Sequence, residues 1–283
     1  MNSRAIQKVV LLILVLSLVF GAAKSALGQM SSTNWTGYVI DSPGVTAVSA
    51  SWIVPAVHCT ATGATNIVTQ GLAVWIGFDG LGAAIPEQVG SMSECYNGSP
   101  MYYSWEEDPS LSPNSSTNAA LPAFEQTLPD DHMTASISYL GKSEFQLVIK
   151  DLTQGESRTY TVIIANVARA SAEWIVEAFT NEETQQQVTL PGFQPITFSD
   201  CSATVNNVTG SITSLNAQTI TMVDNNGNTV AGTENLNQAG TSFQVAAVSP
   251  VPEFPTTALV LATALFAGLV VLKKRITHSP QDI

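Results

Sequence analysis

The chain has 283 residues, with 22 acidic side chains against 10 basic ones and a formal net charge of −12. Between about residues 30 and 253 only Lys142, Lys150, Arg158 and Arg169 oppose 21 acidic groups. Such a surface excludes nucleic acid as a partner and suits a medium acid enough to protonate carboxylates, or one rich in salt. There is no CxxC and no HExxH, and only His58 and His132 fall in this span, so no metal site and no cofactor are expected.

Both ends are apolar. Arg4 and Lys8 precede the apolar run 9–23, and small residues follow up to Gln29. This reads as a secretory signal peptide over 1–29. Export permits a disulfide, and three cysteines (Cys59, Cys95, Cys201) leave one thiol over. At the other end, a Pro-rich linker at 249–255 leads into an uncharged run at 256–272 and a basic tail at 273–283. This reads as a short transmembrane helix with a cytoplasmic tail. The middle, 30–248, is then exported and held at the outer face of the cell membrane. The PEFP sequence, apolar run and basic cluster together resemble the archaeal C-terminal sorting signals of the PEF type. That resemblance implies an archaeosortase-like processing enzyme and attachment to lipid. A permanent single-span anchor is the alternative.

Within 30–248 the patterns are those of short strands. SSTNWTGYVI (31–40) comes first. VTAVSASWI (45–53) alternates and ends near Pro55. Residues 59–71 read as a loop, 73–80 as a strand entering an Asp-Gly turn, and 85–90 as a strand that Pro86 delays. Residues 95–100 read as a turn, 101–109 as an aromatic then acidic strand, and 110–121 as an open loop. Three alternating runs at 132–139, 145–151 and 157–164 look like a meander. SAEWIVEAF (171–179) alternates, with Ala172, Trp174, Val176 and Ala178 on one face and Glu173, Ile175, Glu177 and Phe179 on the other. Its two carboxylates are either solvated at an edge or kept for chemistry. Strand character resumes at 196–205, a hairpin signal falls at 225–228, and 243–248 closes the domain. Many short strands without a long amphipathic helix indicate an all-β sandwich or barrel.

The motifs NWTGYV (34–39), VWIGFDG (74–80), IPEQVG (85–90), WEEDP (105–109), AEWIVEAF (172–179) and FSDCS (198–202) occur in the order seen in glutamic peptidases, the eqolisins. The chain resembles that family over residues 31–205. The resemblance implies an antiparallel β-sandwich of two curved sheets, like a lectin jelly roll, with its site on the concave face. It also implies metal-independent cleavage of a protein or peptide substrate at acid pH by a monomer. Carried over, the catalytic pair falls on Gln88 and Glu177, with Trp35, Trp75, Asp79 and Glu106 in support. Glu106 or Glu107 can take the family's Glu position, and the distance to Pro109 favours Glu106. Cys59 and Cys95 flank the segment carrying Trp75, Asp79 and Gln88, and their pairing would tie its two ends. Cys201 would be the odd thiol.

An ionised Glu177 can act as general base on water, and the Gln88 amide can donate to the oxyanion. Asp79 and Glu106 would orient them. Two other readings remain: a non-catalytic surface module binding glycans or proteins, and a glycoside hydrolase using Glu106 and Glu177.

Overall fold

A computed structural model describes residues 28–60, 67–81, 87–107, 127–181 and 184–248, and the backbone of 120–124. The signal peptide expected up to residue 27, the Pro-rich linker, the apolar run and the basic tail lie outside these residues. The expected boundary after Gln29 falls inside the first strand. No helix among the described residues is long and apolar enough to cross a membrane.

The described residues form twenty strands: β1 (Gln29–Ser32), β2 (Trp35–Asp41), β3 (Val45–Ile53), β4 (Val57–His58), β5 (Val68–Phe78), β6 (Glu87–Tyr96) and β7 (Ser99–Glu107). Then come β8 (Ala120–Phe124), β9 (His132–Gly141), β10 (Glu144–Asp151), β11 (Glu156–Ile163) and β12 (Ser171–Glu177). The last are β13 (Thr180–Asn181), β14 (Gln186–Gln187), β15 (Gly192–Phe193), β16 (Ile196–Val205), β17 (Val208–Gly210), β18 (Gln218–Val223), β19 (Thr229–Glu234) and β20 (Phe243–Ala247).

The expectation of two sheets needs correction. One hydrogen-bonded path runs β11-β10-β9-β3-β16-β20-β19-β18-β2-β12-β5-β6-β7-β8. The sheet curls so that β3 packs on β12 and β5, and β9 and β10 pack on β6. It remains a two-layer sandwich, because short ladders carry the pairing around the bend. β16 meets β20 over three residue pairs, and β18 meets β2 over three. All these contacts are antiparallel; β1 alone adds a parallel strand, on β18.

The core lies between the layers, around Trp52, Phe78, Phe145, Trp174, Phe198 and Phe243. Burying a large aromatic requires a partner for its polar atom. Trp52 Nε1 donates across the layers to Ser91 Oγ at 2.9 Å, and Trp174 Nε1 to the Ser49 carbonyl at 2.9 Å. Phe198 stacks on Phe243 at 4.8 Å. Gly37, at φ 152°, lets β2 close on β12, since a side chain there would run into the Trp174 carbonyl oxygen.

Cys59 and Cys95 form a disulfide across a sequence separation of 36, and Cys201 is a buried free thiol. The bridge ties the segment before β5 to the far end of β6. Closing a loop of that length stabilises the fold by about 4 kcal/mol through the unfolded chain. Urea unfolding with and without reductant should differ by that order. Burial raises the pKa of Cys201 first, and Asp200 adds to the effect, so the native thiol should resist alkylation until the chain unfolds.

Candidate active site

The site grows from β12. Its even residues, Ala172, Trp174 and Val176, enter the core between the layers. Glu173, Ile175 and Glu177 therefore point to the other side of the sheet. β2 and β5 flank β12, placing Trp35 and Ala73 opposite Glu177, and Trp75 opposite Ile175. On this outer side Val39, Ala73, Trp75, Met92, Trp105, Ile175 and Ile220 form a second apolar cluster, with Trp35, Tyr103 and Phe179 against it. The strand is thus covered on both faces, which no solvated edge would be.

Both oxygens of Glu177 are held. Asn34 Nδ2 donates to Oε1 at 3.1 Å, and Trp75 Nε1 donates to Oε2 at 2.9 Å. The Trp35 indole lies edge-on to Trp75, with ring centroids 5.1 Å apart. Its N–H is near the same carboxylate but falls outside strict hydrogen-bond geometry. Burial is the largest influence on Glu177 and raises its pKa, while Trp35, Trp75 and Asn34 pull it down.

Gln88 is on the same face, nearly buried at 6% exposure. It sits opposite Gly77 on β5, whereas Glu177 sits opposite Ala73. The two are therefore two strands apart and offset along β5, and Trp75 lies between them. One end of its indole donates to Glu177. The other end crosses Gly77, where a methyl group would lie 2.8 Å from Trp75 Cζ3 and 3.1 Å from Gln88 Cγ. Gly77 leaves the space in which the Gln88 stem meets that ring. The buried indole N–H of Trp105, at this face, meets no acceptor in good geometry among the described residues.

Two expected supporting residues stand elsewhere. Glu106 pairs with Val89, on the core side of the sheet, and is 2% exposed. There, after burial, its charge is the next influence raising the pKa of Tyr160. It is Glu107 that stands directly across from Gln88. The cause is the β6–β7 turn: Asn97 and Gly98, both at positive φ, form a two-residue hairpin loop pairing Tyr96 with Ser99. Counting back from that pair puts residue 107, not 106, opposite 88. The turn was visible in the sequence, while the distance to Pro109 carried no register. Glu106 and Glu177 lie on opposite faces, so the pair expected for a glycoside hydrolase cannot flank one bond. Asp79 does not orient Gln88 or Glu177 either. At φ 61° it accepts from the backbone N–H groups of Arg169 (2.6 Å) and Ala170 (2.5 Å), fastening the end of β5 to the chain entering β12. Asn34 was not anticipated, since an amide one residue before a strand carries no chemical signature of its own.

Two further carboxyls beside this region are deeply buried. Glu87 and Glu173 are both 0% exposed, and their oxygens meet no hydrogen-bond donor in good geometry among the described residues. Burial first, then the charges of Asp79, Glu173 and Glu107, push Glu87 up to about 9. Burial likewise pushes Glu173 up to about 8, with Asp79 adding to it, while Ser171, Leu81 and Gly80 oppose. Both groups are neutral in acid. A carboxyl whose folded pKa exceeds its unfolded value of about 4.3 stabilises fully below that value and loses the effect as pH rises through the folded pKa. Denaturant midpoints should therefore be highest near pH 4 and fall toward pH 8–9. Glu87→Gln and Glu173→Gln should each flatten that fall by an amount on the order of kcal/mol.

Comparison with known proteins gives the family and the fold. A model of the peptidase A4 family matches residues 33–245. Aspergillopepsin-2 from Aspergillus niger is 25% identical over 191 residues, 61% of this chain and 64% of its own length, so the chain spans just under two thirds of that curated relative. Scytalido-glutamic peptidase, solved with a peptide-based transition state analog, superposes with a TM-score of 0.62 at 21% identity over 77% of this chain and 99% of its own. Aspergilloglutamic peptidase from Aspergillus niger gives 0.52 at 23% identity, over 63% and 99%. At such identity the two structures speak for the fold. With the family match spanning three quarters of the sequence, the chain belongs to the peptidase A4 family, the glutamic-type peptidases.

Proposed function

We propose that this protein is an acid endopeptidase in which Glu177 and Gln88 hydrolyse peptide bonds without a metal. The observation that carries the reading is the Glu177 carboxylate, half-buried and held at both oxygens by neutral donors, on the sheet face that also bears Gln88. Ionised, Glu177 takes a proton from water as it attacks the scissile carbonyl, then returns it to the leaving amine. The Gln88 amide donates to the oxyanion as charge develops there. Gln is neutral, so the pair avoids the repulsion of two carboxylates in one site.

The pH window follows from opposite signs. Glu177 works when ionised, and burial raises its pKa, so activity falls on the acid side of that raised value. On the alkaline side, ionisation of Glu87 and Glu173 destabilises the fold. The reading extends to location on the grounds of sequence alone. The protein is exported by 1–29 and acts as a monomer at the outer membrane face, tethered through 256–272 or lipid-attached after cleavage near PEFP by an archaeosortase-like enzyme.

The test is proteolysis of denatured casein between pH 2 and 7 by the purified protein. Glu177→Gln should lose about 10²–10⁴ in rate and Gln88→Ala about 10²–10³. Glu106→Gln should retain cleavage, and chelators should change nothing. A folded, disulfide-bonded protein that cleaves at no pH would instead be a binding module.

A further inference from the structure

The turn between β1 and β2 is built around one side chain. Ser32 Oγ donates to Asn34 Oδ1 at 2.9 Å, which leaves Asn34 Nδ2 to face Glu177 Oε1 at 3.1 Å. The same Ser32 oxygen accepts the backbone N–H groups of Asn34 (3.3 Å) and Trp35 (3.1 Å). The Asn34 carbonyl accepts the N–H of Ala178 at 2.8 Å, and Gln187 Nε2 donates to the Thr33 carbonyl at 2.8 Å. Asn34 is thus clamped to the end of β12 by its main chain, while its amide is fixed in one orientation. Parallel pairing of β1 with β18 holds the turn from the other side.

We propose that Asn34, oriented by Ser32, is a positioning residue for Glu177, fixing one carboxylate oxygen as Trp75 fixes the other. The inference rests on Glu177 being the general base. With Oε2 tied to the Trp75 indole, the carboxylate can still swing about that bond. The Asn34 amide removes the swing and sets the direction from which Oε1 meets water. An N–H donated to a carboxylate favours its charged form, so the same bond keeps Glu177 ionised at lower pH than burial alone would allow. Aspartate in place of Asn34 keeps the shape and reverses the sign, putting an acceptor where the donor stood. The other titratable groups on this face among the described residues are Asp41 on β2, Glu173 on β12, Glu94 and Tyr96 on β6, and Glu107 and Tyr103 on β7. Tyr103 donates to Glu94 at 2.8 Å. Asp41 closes β2 on the same side, exposed at the far end of the strand opposite Ser171; β1, β5 and β18 contribute none, Asp79 being turned to the Arg169–Ala170 backbone.

The experiment is a kcat/KM–pH profile on a peptide substrate for the full protein and for Asn34→Ala, Asn34→Asp, Ser32→Ala and Glu177→Gln. Thermal melts at each pH report the folded fraction. A parallel 13C titration of the Glu177 side-chain carboxyl needs no activity. Asn34→Ala should move the acid limb, and the 13C midpoint, upward by about one pH unit, the size of one hydrogen bond to a charged group. Asn34→Asp should move both further, and Ser32→Ala less. KM should change little, and the loss in kcat should shrink as pH rises above the shifted limb. A uniform loss at every pH with an unmoved limb and midpoint would overturn the proposal and leave Asn34 a structural turn residue. If Glu177→Gln cleaves like the parent, the general-base reading fails instead, whatever the Asn34 variants do.

Discussion

Everything in this molecule that bears on chemistry depends on β12 being covered on both faces. One face, with Trp174 and Val176, closes the core between the layers. The other carries Glu173 and Glu177 among buried apolar groups. The ladder that sets Trp174 against Ile76 also sets Ile175 against Trp75 and Glu177 against Ala73. A slip of one residue would exchange the faces, taking the Trp174 indole out of the inter-layer core and putting the two acids into it. The site cannot drift without the core unpacking, so the carboxylate inherits the rigidity of the inter-layer packing. Gly37 enforces the same register from β2, because no side chain fits beside the Trp174 carbonyl.

The second consequence is electrostatic. Buried acids are commonly balanced by cations. Here the groups bonded to Glu177 are an indole and an amide, and Asp79 is answered by backbone N–H groups. Arg169, at the mouth of β12, lays its guanidinium 4.2 Å over the Tyr139 ring. Glu87 and Glu173 are tolerated because they are uncharged in acid. In acid, burial keeps Glu87 and Glu173 uncharged, while the donors around Glu177 favour its charged form.

Much of this was legible in the sequence where a single strand carries its own pattern. VTAVSASWI and the stretch from Ile196 to Val205 are strands to the residue, because alternation and a nearby proline or polar turn mark both ends. The meander from β9 to β11 is equally plain. The start of β5 was hidden: Val68–Leu72 follows a Thr-, Ala- and Gly-rich run, and its burial comes from neighbours on both sides of the sheet rather than from its own composition. Position 107 was missed for a related reason, since which of two adjacent acids faces Gln88 is a property of the hairpin turn and not of either residue. The curl into one continuous sheet was beyond reach, because it depends on two ladders of three pairs joining segments far apart in the chain. The burial of Glu87 belongs with it, because the layer that packs over that side of β6 comes from β9 and β10, much further along the chain.

The turn that holds Glu177 has one more property. Asn34, Trp35 and Thr36 spell an acceptor sequence for N-linked oligosaccharide. The atom a sugar would take is Nδ2, the nitrogen already committed to Glu177. The Thr36 hydroxyl, the other half of the acceptor, is fully buried and donates to the Ile220 carbonyl at 3.1 Å. A sugar on Nδ2 would take one of the two hydrogens of the amide that holds Glu177 Oε1, and attaching it would require the buried Thr36 hydroxyl to become accessible, so this acceptor sequence and the folded turn are in conflict.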